Sequence, residues 1–546
     1  MAAVFTAGTA LGQVPPDAGR ILQETRPAER APEVTIPPIQ APAQAPPAQP
    51  PTGGDARVQV TQFDFAGNSA LSTETLRSVL ASWVGRSLNF GELIQAVEAV
   101  EARYKEAGYL LAQAYLPPQK IRDGAIEIAI SEGRLGEARL EGESRVDPEV
   151  LYGYLDRLPR NEPLQLSVLE RQVLLINELA GGQASIDLQA GDAPGTTDVV
   201  LAQRPEPLVT GRLEANNHGL PSTGEKRYGL ALNANSPFNL GERVMFNALS
   251  SENRGLTSYN LRGELPVGGD GWRLIAAASR AEYSLGGAFA SLQASGTADS
   301  VRIGAAYPLI RSRASNLKVQ FEGDRSKLAD KFQAAGTELD KQSHGLTATL
   351  SGDWLDEFMG GGASRADLVL RSGTISLGAA AAAADAPPAG PGAAGHFNKV
   401  TLAGSRQQTL TREVSLQMAL TWQFSGKNLD SSEKLGVGGP ATAPGYVSGE
   451  AVGNSGGYAK LGVRWQALPE LALTAFADYA RLRLAHDPLP TATKNEKRLS
   501  DTGVALDWLV AKGVVASGIL AWAGKEAPNP ADNDRPRFWF SVGYAW

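Results

Sequence analysis

From residue 208 to Trp546 the chain keeps a period of two, and this limits its fold more than any other feature. Leu317, Val319 and Phe321 alternate with Lys318, Gln320 and Glu322. Val414, Leu416, Met418, Leu420, Trp422 and Phe424 oppose Ser415, Gln417, Thr421 and Gln423, and Ala459, Leu461, Val463 and Trp465 alternate with Lys460, Gly462 and Arg464. Period two sends successive side chains to opposite faces of a strand. The runs are about 9–12 residues long, as a tilted membrane-crossing strand requires, whereas soluble strands average about 5–6. At roughly 21 residues per strand and connection, residues 208–546 hold about 16 strands. The expected fold is therefore a transmembrane β-barrel of 16 antiparallel strands. Phe538, Phe540, Val542, Tyr544 and Trp546 make an unbroken apolar face at the chain end, as a last strand needs when it closes a barrel in lipid. Eight of the nine tryptophans lie in this half, with Trp272, Trp422, Trp465 and Trp508 at strand ends, the pattern of interfacial girdles. The Ala/Gly/Pro-rich stretch 379–395 reads as a mobile loop.

Upstream, one order of elements occurs twice. A strand over 58–65, in which Val58 and Val60 share one face and Phe63 and Phe65 the other, precedes a helix from Ser72 to about residue 83. A second helix over 89–105 carries Leu93, Val97, Val100 and Tyr104 on one face. Strands at 112–116 and 125–130 close the unit. The second copy has a strand at 137–141, helices at 148–155 and 167–179, and strands at 183–189 and 197–203; Ser167 with Glu170 reads as a capping box. The organisation is two β-α-α-β-β modules, 57–133 and 134–207, before a barrel at 208–546. Residues 31–56 hold eight prolines and form a linker. A helix capped by Asp17 is expected within 13–30, and residues 1–12, apolar without Lys or Arg, read as a residual signal or a disordered start.

Composition excludes several functions. The chain has no cysteine, so disulfides and thiolate chemistry are absent, and its net charge of -7 gives nucleic-acid binding no support. Four scattered histidines have no metal-ligand spacing, and no Ser/His/Asp set or carboxylate pair suggests catalysis. No cofactor, metal or enzymatic role is expected.

Several motifs together resemble the outer-membrane transporters of two-partner secretion, the haemolysin secretion/activation family, whose periplasmic modules are polypeptide-transport-associated (POTRA) domains. Tyr104, Gly108 and Tyr109, then Tyr115, Leu116 and Gln119, then Asp123-Gly124 and Glu132-Gly133, are similar to the first POTRA module. Asn216, Asn217, His218 and Gly219 with Gly224, and the run from Tyr307 to Ser312, are similar to its barrel strands. Gly438, Gly439 and Pro440, the tip Ala443, Pro444, Gly445 and Tyr446, and then Gly449 and Glu450 resemble the family's loop that folds into the lumen, here 425–457. Pro444 stands where the family has an arginine, which pairs there with an acid on a lumen-facing strand. Phe476 and Asp478 match that strand, and alternation puts both on the lumen face. Asp478 is thus expected to lack its cation, with backbone and Tyr446 contacts holding the loop.

The resemblance implies a function. An unfolded exoprotein, β-helical once outside, binds the POTRA domains and threads the barrel without nucleotide hydrolysis, displacing the N-terminal helix as a plug. Tyr104, Gly108, Tyr109, Tyr115, Leu116 and Gln119 are the client-binding candidates. Further expected partners are outer-membrane lipids and lipopolysaccharide, with periplasmic chaperones and the barrel-assembly machinery during biogenesis. The alternative is an outer-membrane protein insertase of the same superfamily, which usually carries more modules and lacks the tethered helix. A plain porin needs no periplasmic modules.

Overall fold

The structure is a computed structural model that describes residues 15–26, 57–524 and 536–546. The expected start at 1–12, the linker 31–56 and the remainder of 13–30 lie outside the described residues. Helix α1 (Ala18–Glu24) begins at Asp17, whose carboxylate accepts the Arg20 N–H at 3.1 Å.

In the first module the opening strand is split, which explains its imperfect alternation. β1 (Val58–Gln59) pairs antiparallel with β3 (Ser87–Leu88), while β2 (Gln62–Ala66) pairs parallel with β5 (Ala125–Ser131). The chain changes partners between Val60 and Thr61, so Val60 and Phe63 both enter the core. Helix α2 (Thr73–Val79) is capped by Ser72 and gives way to turns before residue 83. Helix α3 (Phe90–Glu106) starts in a capping box made by Asn89 and Glu92. β4 (Gln113–Tyr115) is the outer strand of a sheet ordered β2-β5-β4.

The second module contains β6 (Arg134–Glu141), α4 (Pro148–Leu155), α5 (Leu166–Asn177), β7 (Gly182–Ala190) and β8 (Thr196–Pro205), with sheet order β6-β8-β7. Asp147 caps α4, with Pro148 at its first position. The capping box expected at Ser167 is not formed. Helix α5 starts after Gln165 without a side-chain cap, because Gln165 donates to the Tyr109 hydroxyl at 2.9 Å and Glu170 pairs with Arg313 of the barrel at 2.7 Å. Residues that local rules assign to a helix end serve two domain contacts instead.

Sixteen antiparallel strands close the barrel. They are β9 (Val209–Asn216), β10 (Arg227–Asn235), β11 (Arg243–Ser251), β12 (Leu256–Val267), β13 (Trp272–Ser284), β14 (Ala294–Arg311), β15 (Ser315–Phe332), β16 (Thr337–Asp356), β17 (Gly362–Leu377), β18 (Gly395–Thr409) and β19 (Val414–Ser425), followed, after β20 (Leu435–Val437) and β21 (Ala451–Gly453) within a loop, by β22 (Ser455–Leu468), β23 (Leu471–Arg483), β24 (Glu496–Ala511), β25 (Val514–Ala523) and β26 (Arg537–Ala545). Among the described residues no helix is long and apolar enough to cross a membrane. The loop after β17 is more ordered than its composition implied: α6 (Ala379–Asp385) forms there, and the Asp385 carboxylate accepts the N–H groups of Ala393 and Ala394 at 2.8 and 2.9 Å.

β26 closes on β9, and Trp546 and Gly211 exchange backbone hydrogen bonds of 3.1 and 3.2 Å. The Trp546 ring covers Gly211, where a Cβ would collide with it. Phe538, Phe540, Val542, Tyr544 and Trp546 all point outward and are exposed to the bilayer. The second module feeds β9 at one end of the barrel. That end carries Trp272, Trp354, Trp465, Trp508 and Trp546; Trp422 and Trp522 mark the other. The second module also docks there. Glu178 bridges Arg273 and Arg311 at 3.0 and 2.5 Å, and Arg171 donates to the Pro308 carbonyl at 3.2 Å.

Candidate functional site: the barrel lumen

The 29-residue connection between β19 and β22 does not project outward. It re-enters the lumen as the β20–β21 hairpin. At its neck the Thr442 hydroxyl bonds the Gly438 N–H at 2.8 Å and carbonyl at 2.9 Å, and the Gly439 N–H donates to the Tyr446 carbonyl at 3.0 Å across the turn that begins at Pro440. Gly438 and Gly439 both have positive φ, which a side chain would strain.

The tip rests on β24 and β26. Gly445 N–H donates to the Asp501 carboxylate at 2.6 Å, and the Tyr446 hydroxyl donates to the Ser500 carbonyl at 2.9 Å. Trp539 Nε1 donates to the Pro444 carbonyl at 2.7 Å, and Ala443, Pro444 and Tyr446 are buried. Gly445 lies so close to Asp501 and Ala523 that a Cβ would not fit without movement. Farther along the loop, the Glu450 carboxylate pairs with Lys497 at 2.9 Å, and Gly449 lies under the Arg20 guanidinium.

Phe476 and Asp478 face the lumen on β23, but neither hydrogen-bonds the tip. Asp478 does not lack a cation: Lys460 on β22 lies 3.5 Å away, donates to the loop's Ala441 carbonyl at 3.1 Å, and sits over the Phe476 ring. The expected vacancy is therefore filled from the neighbouring strand. Asp478 and Asp501 are cross-strand neighbours in register. Both Asp478 carboxylate oxygens and Asp501 Oδ1 have no hydrogen-bond partner. The loop's direct partners, Asp501 and Trp539, were not singled out from the sequence. Asp501 alternates with Leu499 and Gly503 on the lumen face, and Trp539 is the one aromatic out of phase with the closing face. Those were the available signals.

Helix α1 occupies the opposite wall. Ala18, Ile21 and Leu22 pack against Leu256, Tyr283, Leu285 and Leu328. The Ala18 N–H donates to Asp330 at 2.7 Å, and Lys341 bridges Asp17 at 2.9 Å and Asp430 at 3.0 Å. Glu24 pairs with Arg227. Arg20 donates to the Ser448 carbonyl at 2.7 Å, so the helix also touches the loop. The loop base is tied to this wall, with Glu433 between Arg371 and Lys399, each at 2.9 Å.

In the first module the client-binding candidates divide. Tyr104 is fully buried in the core, where its hydroxyl donates to Glu132 at 2.8 Å, so it cannot touch a client in this structure. Glu132 also accepts from Ser69 and from the Ala70 N–H at 2.7 Å. Burial raises the Glu132 carboxyl, but these hydrogen bonds outweigh it and hold it below the usual glutamate range. Gly108 and Tyr109 form the joint between modules: the Gly108 carbonyl accepts the Leu166 N–H at 2.9 Å, and the Tyr109 hydroxyl accepts from Gln165. Gln119 bonds both the N–H and the carbonyl of Glu127 at 2.8 Å, continuing the β5 pairing where Pro117 and Pro118 have no N–H to offer. These four serve the architecture of the modules. Tyr115, exposed at the edge strand, and half-buried Leu116 remain accessible.

A closed 16-strand barrel with an inserted loop, an internal helix and two modules at one mouth defines a barrel transporter of the POTRA type. The family model for haemolysin secretion/activation protein ShlB/FhaC/HecB matches residues 195–491, and the POTRA domain of ShlB type matches residues 58–133. The heme/hemopexin transporter protein HuxB of Haemophilus influenzae (strain 86-028NP) is 25% identical over 493 residues, covering 87% of this chain and 84% of that protein. The outer membrane transporter CdiB of Dickeya dadantii is 25% identical, covering 76% and 73%. The structure of CdiB from Escherichia coli superposes with a TM-score of 0.72 at 21% identity, covering 92% of this chain and 93% of that one. BamA from Haemophilus ducreyi, lacking POTRA domains 1–3, shares the fold with a TM-score of 0.52 at 14% identity, over 90% of this chain and 100% of that one. The chain belongs to the haemolysin secretion/activation family. It is a two-partner secretion transporter of the outer membrane, with its POTRA domains in the periplasm.

Proposed function

We propose that this transporter captures an extended client at the first POTRA module, on the edge of β4 beside Tyr115 and Leu116, by adding a strand to the sheet. The client then enters the barrel from the periplasmic mouth and moves outward along the wall that α1 occupies, with no nucleotide hydrolysis. Residues 13–30 act as the plug, 31–56 as its tether, 57–133 and 134–207 as the receiving modules, and 425–457 as the lumen loop. The observation that carries this reading is the chemistry around α1: beside a small apolar face, ion pairs and single hydrogen bonds hold it, and a passing polar backbone can replace those one at a time. The client is a secreted exoprotein that becomes β-helical outside. Periplasmic chaperones and the barrel-assembly machinery bring the transporter itself to the membrane.

The test is co-expression with a candidate exoprotein encoded alongside it. The exoprotein is expected in the culture medium only when this chain is present, and Tyr115→Asp is expected to reduce its appearance several-fold with barrel levels unchanged. An insertase would instead change the levels of unrelated outer-membrane barrels while leaving the exoprotein inside the cell.

A further inference from the structure

The outer wall of the barrel carries a feature that secretion does not use. Strands β13–β18 line an open, mostly apolar hollow of about 970 Å³, whose exposed side chains, among them Ile303, Phe321 and Leu346, lie on the outer wall. Cross-strand register places its lining in two rows. One runs Leu274, Ala305, Phe321, Ala348, Leu370 and Val400; the next runs Ala276, Ile303, Gly323, Leu346, Ser372 and Asn398. Phe321, Ile303 and Leu346 stand exposed around Gly323, which has no side chain to fill the space between them. A Cβ added there makes ordinary contact with Leu346 and nothing closer.

The row immediately above changes character. It reads Ala278, Val301, Arg325, His344, Thr374 and His396, and Lys327 follows one row higher on β15. Arg325, Lys327, His344 and His396 are all exposed. Lys327 makes no ion pair among the described residues, and Arg325 donates only to Gln342, at 3.1 Å. The acid nearest in register, Asp299, pairs with Arg280 at 3.4 Å. The height of this row follows from strand geometry. Trp354 marks the periplasmic interface on β16, and His344 lies ten residues along the same strand. At about 3.3 Å per residue and a tilt of roughly 40°, ten residues climb about 25 Å, the height of the apolar band of such barrels. Because strands are tilted, a register row climbs from β13 to β18, so this height holds for β15 and β16: there Arg325 and His344 lie at the outer interface with Gly323 just beneath them, whereas His396 lies farther out than Leu402, the partner of Trp422.

We propose that this site binds the phosphorylated glycolipid of the outer leaflet, the lipid A part of lipopolysaccharide. Arg325 and Lys327 take its phosphates, His344 contacts the sugar headgroup, and one acyl chain fills the slot over Gly323. Cations beside an acyl-sized apolar hollow match a ligand with phosphates above its chains. The inference rests on the outer-membrane placement but not on any step of secretion.

The test is native mass spectrometry of the full chain in mild detergent, titrated with purified lipid A. Arg325→Gln/Lys327→Gln is expected to weaken binding about tenfold or more, and Gly323→Phe, which fills the slot, by a similar factor. Dephosphorylated lipid A is expected to bind the unmodified chain as weakly as lipid A binds the double variant. Equal affinity for phosphatidylglycerol and lipid A, or unchanged binding in both variants, overturns the proposal. Resistance to unfolding by detergent without heating confirms that each variant is a closed barrel, so loss of the site is distinguished from loss of the fold.

Discussion

Helix α1 and the loop tip share one lumen but are held by different chemistry. The helix lies against β10 and β12–β16 through Asp17–Lys341, Glu24–Arg227 and the Ala18–Asp330 hydrogen bond. The tip lies against β24 and β26 through contacts in which the loop offers its own backbone: Pro444 carbonyl to Trp539 and Gly445 N–H to Asp501. These ion pairs are mostly out of solvent, Lys341 and Asp17 being 13% and 25% exposed, so they hold firmly until another charged or polar group takes a partner's place. Where the loop gives its own backbone, breaking a hydrogen bond strands its partner, and the same holds for Ala18 on Asp330. The helix is tied mainly through charged side chains, and the tip mainly through its own backbone.

The comparison makes four predictions. Lys341→Met has the largest effect, because it removes the cation that bridges Asp17 and Asp430, a loss of about 3 kcal/mol. The open fraction of single channels in planar bilayers is expected to rise on the order of 100-fold, and raising salt in the unmodified chain is expected to act in the same direction. Unchanged conductance breaks the distinction. Asp501→Ala strands the Gly445 N–H at about 2 kcal/mol. Thiol labelling of an Ala443→Cys reporter is expected to accelerate, while salt has little effect on it. If Asp501→Ala opens the channel as much as Lys341→Met does, the two attachments act as one, through Arg20 and Ser448. Trp539→Phe removes one hydrogen bond and costs about 1 kcal/mol, read by the same reporter. Pro444→Arg has the smallest effect: Asp478 Oδ1 and Asp501 Oδ1 accept no hydrogen bond, so a guanidinium has somewhere to bind, and exoprotein in the medium is expected to be maintained or to rise slightly.

The sequence disclosed the barrel well because lipid and lumen impose opposite demands on alternate residues over the whole span, and no local accident overrides that. Strand number, the lumen side of Asp478 and the outward face ending at Trp546 all follow from it. The contacts of the site were less legible. Asp501 is 56 residues from Gly445, and Trp539 is 95 residues from Pro444, so only barrel closure brings them to the tip. Lys460 was visible as a lumen-facing residue, but its reach to Asp478 depends on strand register. Tyr104 teaches the reverse lesson. Its place on the same helical face as Leu93, Val97 and Val100 already marked it as core, and the motif resemblance drew attention away from that pattern.

Trp539 belongs to β26, the strand that closes the barrel onto β9, and its neighbours Phe538 and Phe540 face lipid while it faces inward. The loop it clasps is finished roughly a hundred residues earlier. Until β26 has zipped between β25 and β9, the Pro444 carbonyl has no indole to receive it. Seating of the tip is thus a readout of a completed ring. A barrel left unsealed at its seam lacks the indole that holds the loop tip, so an unseated tip marks an unfinished ring.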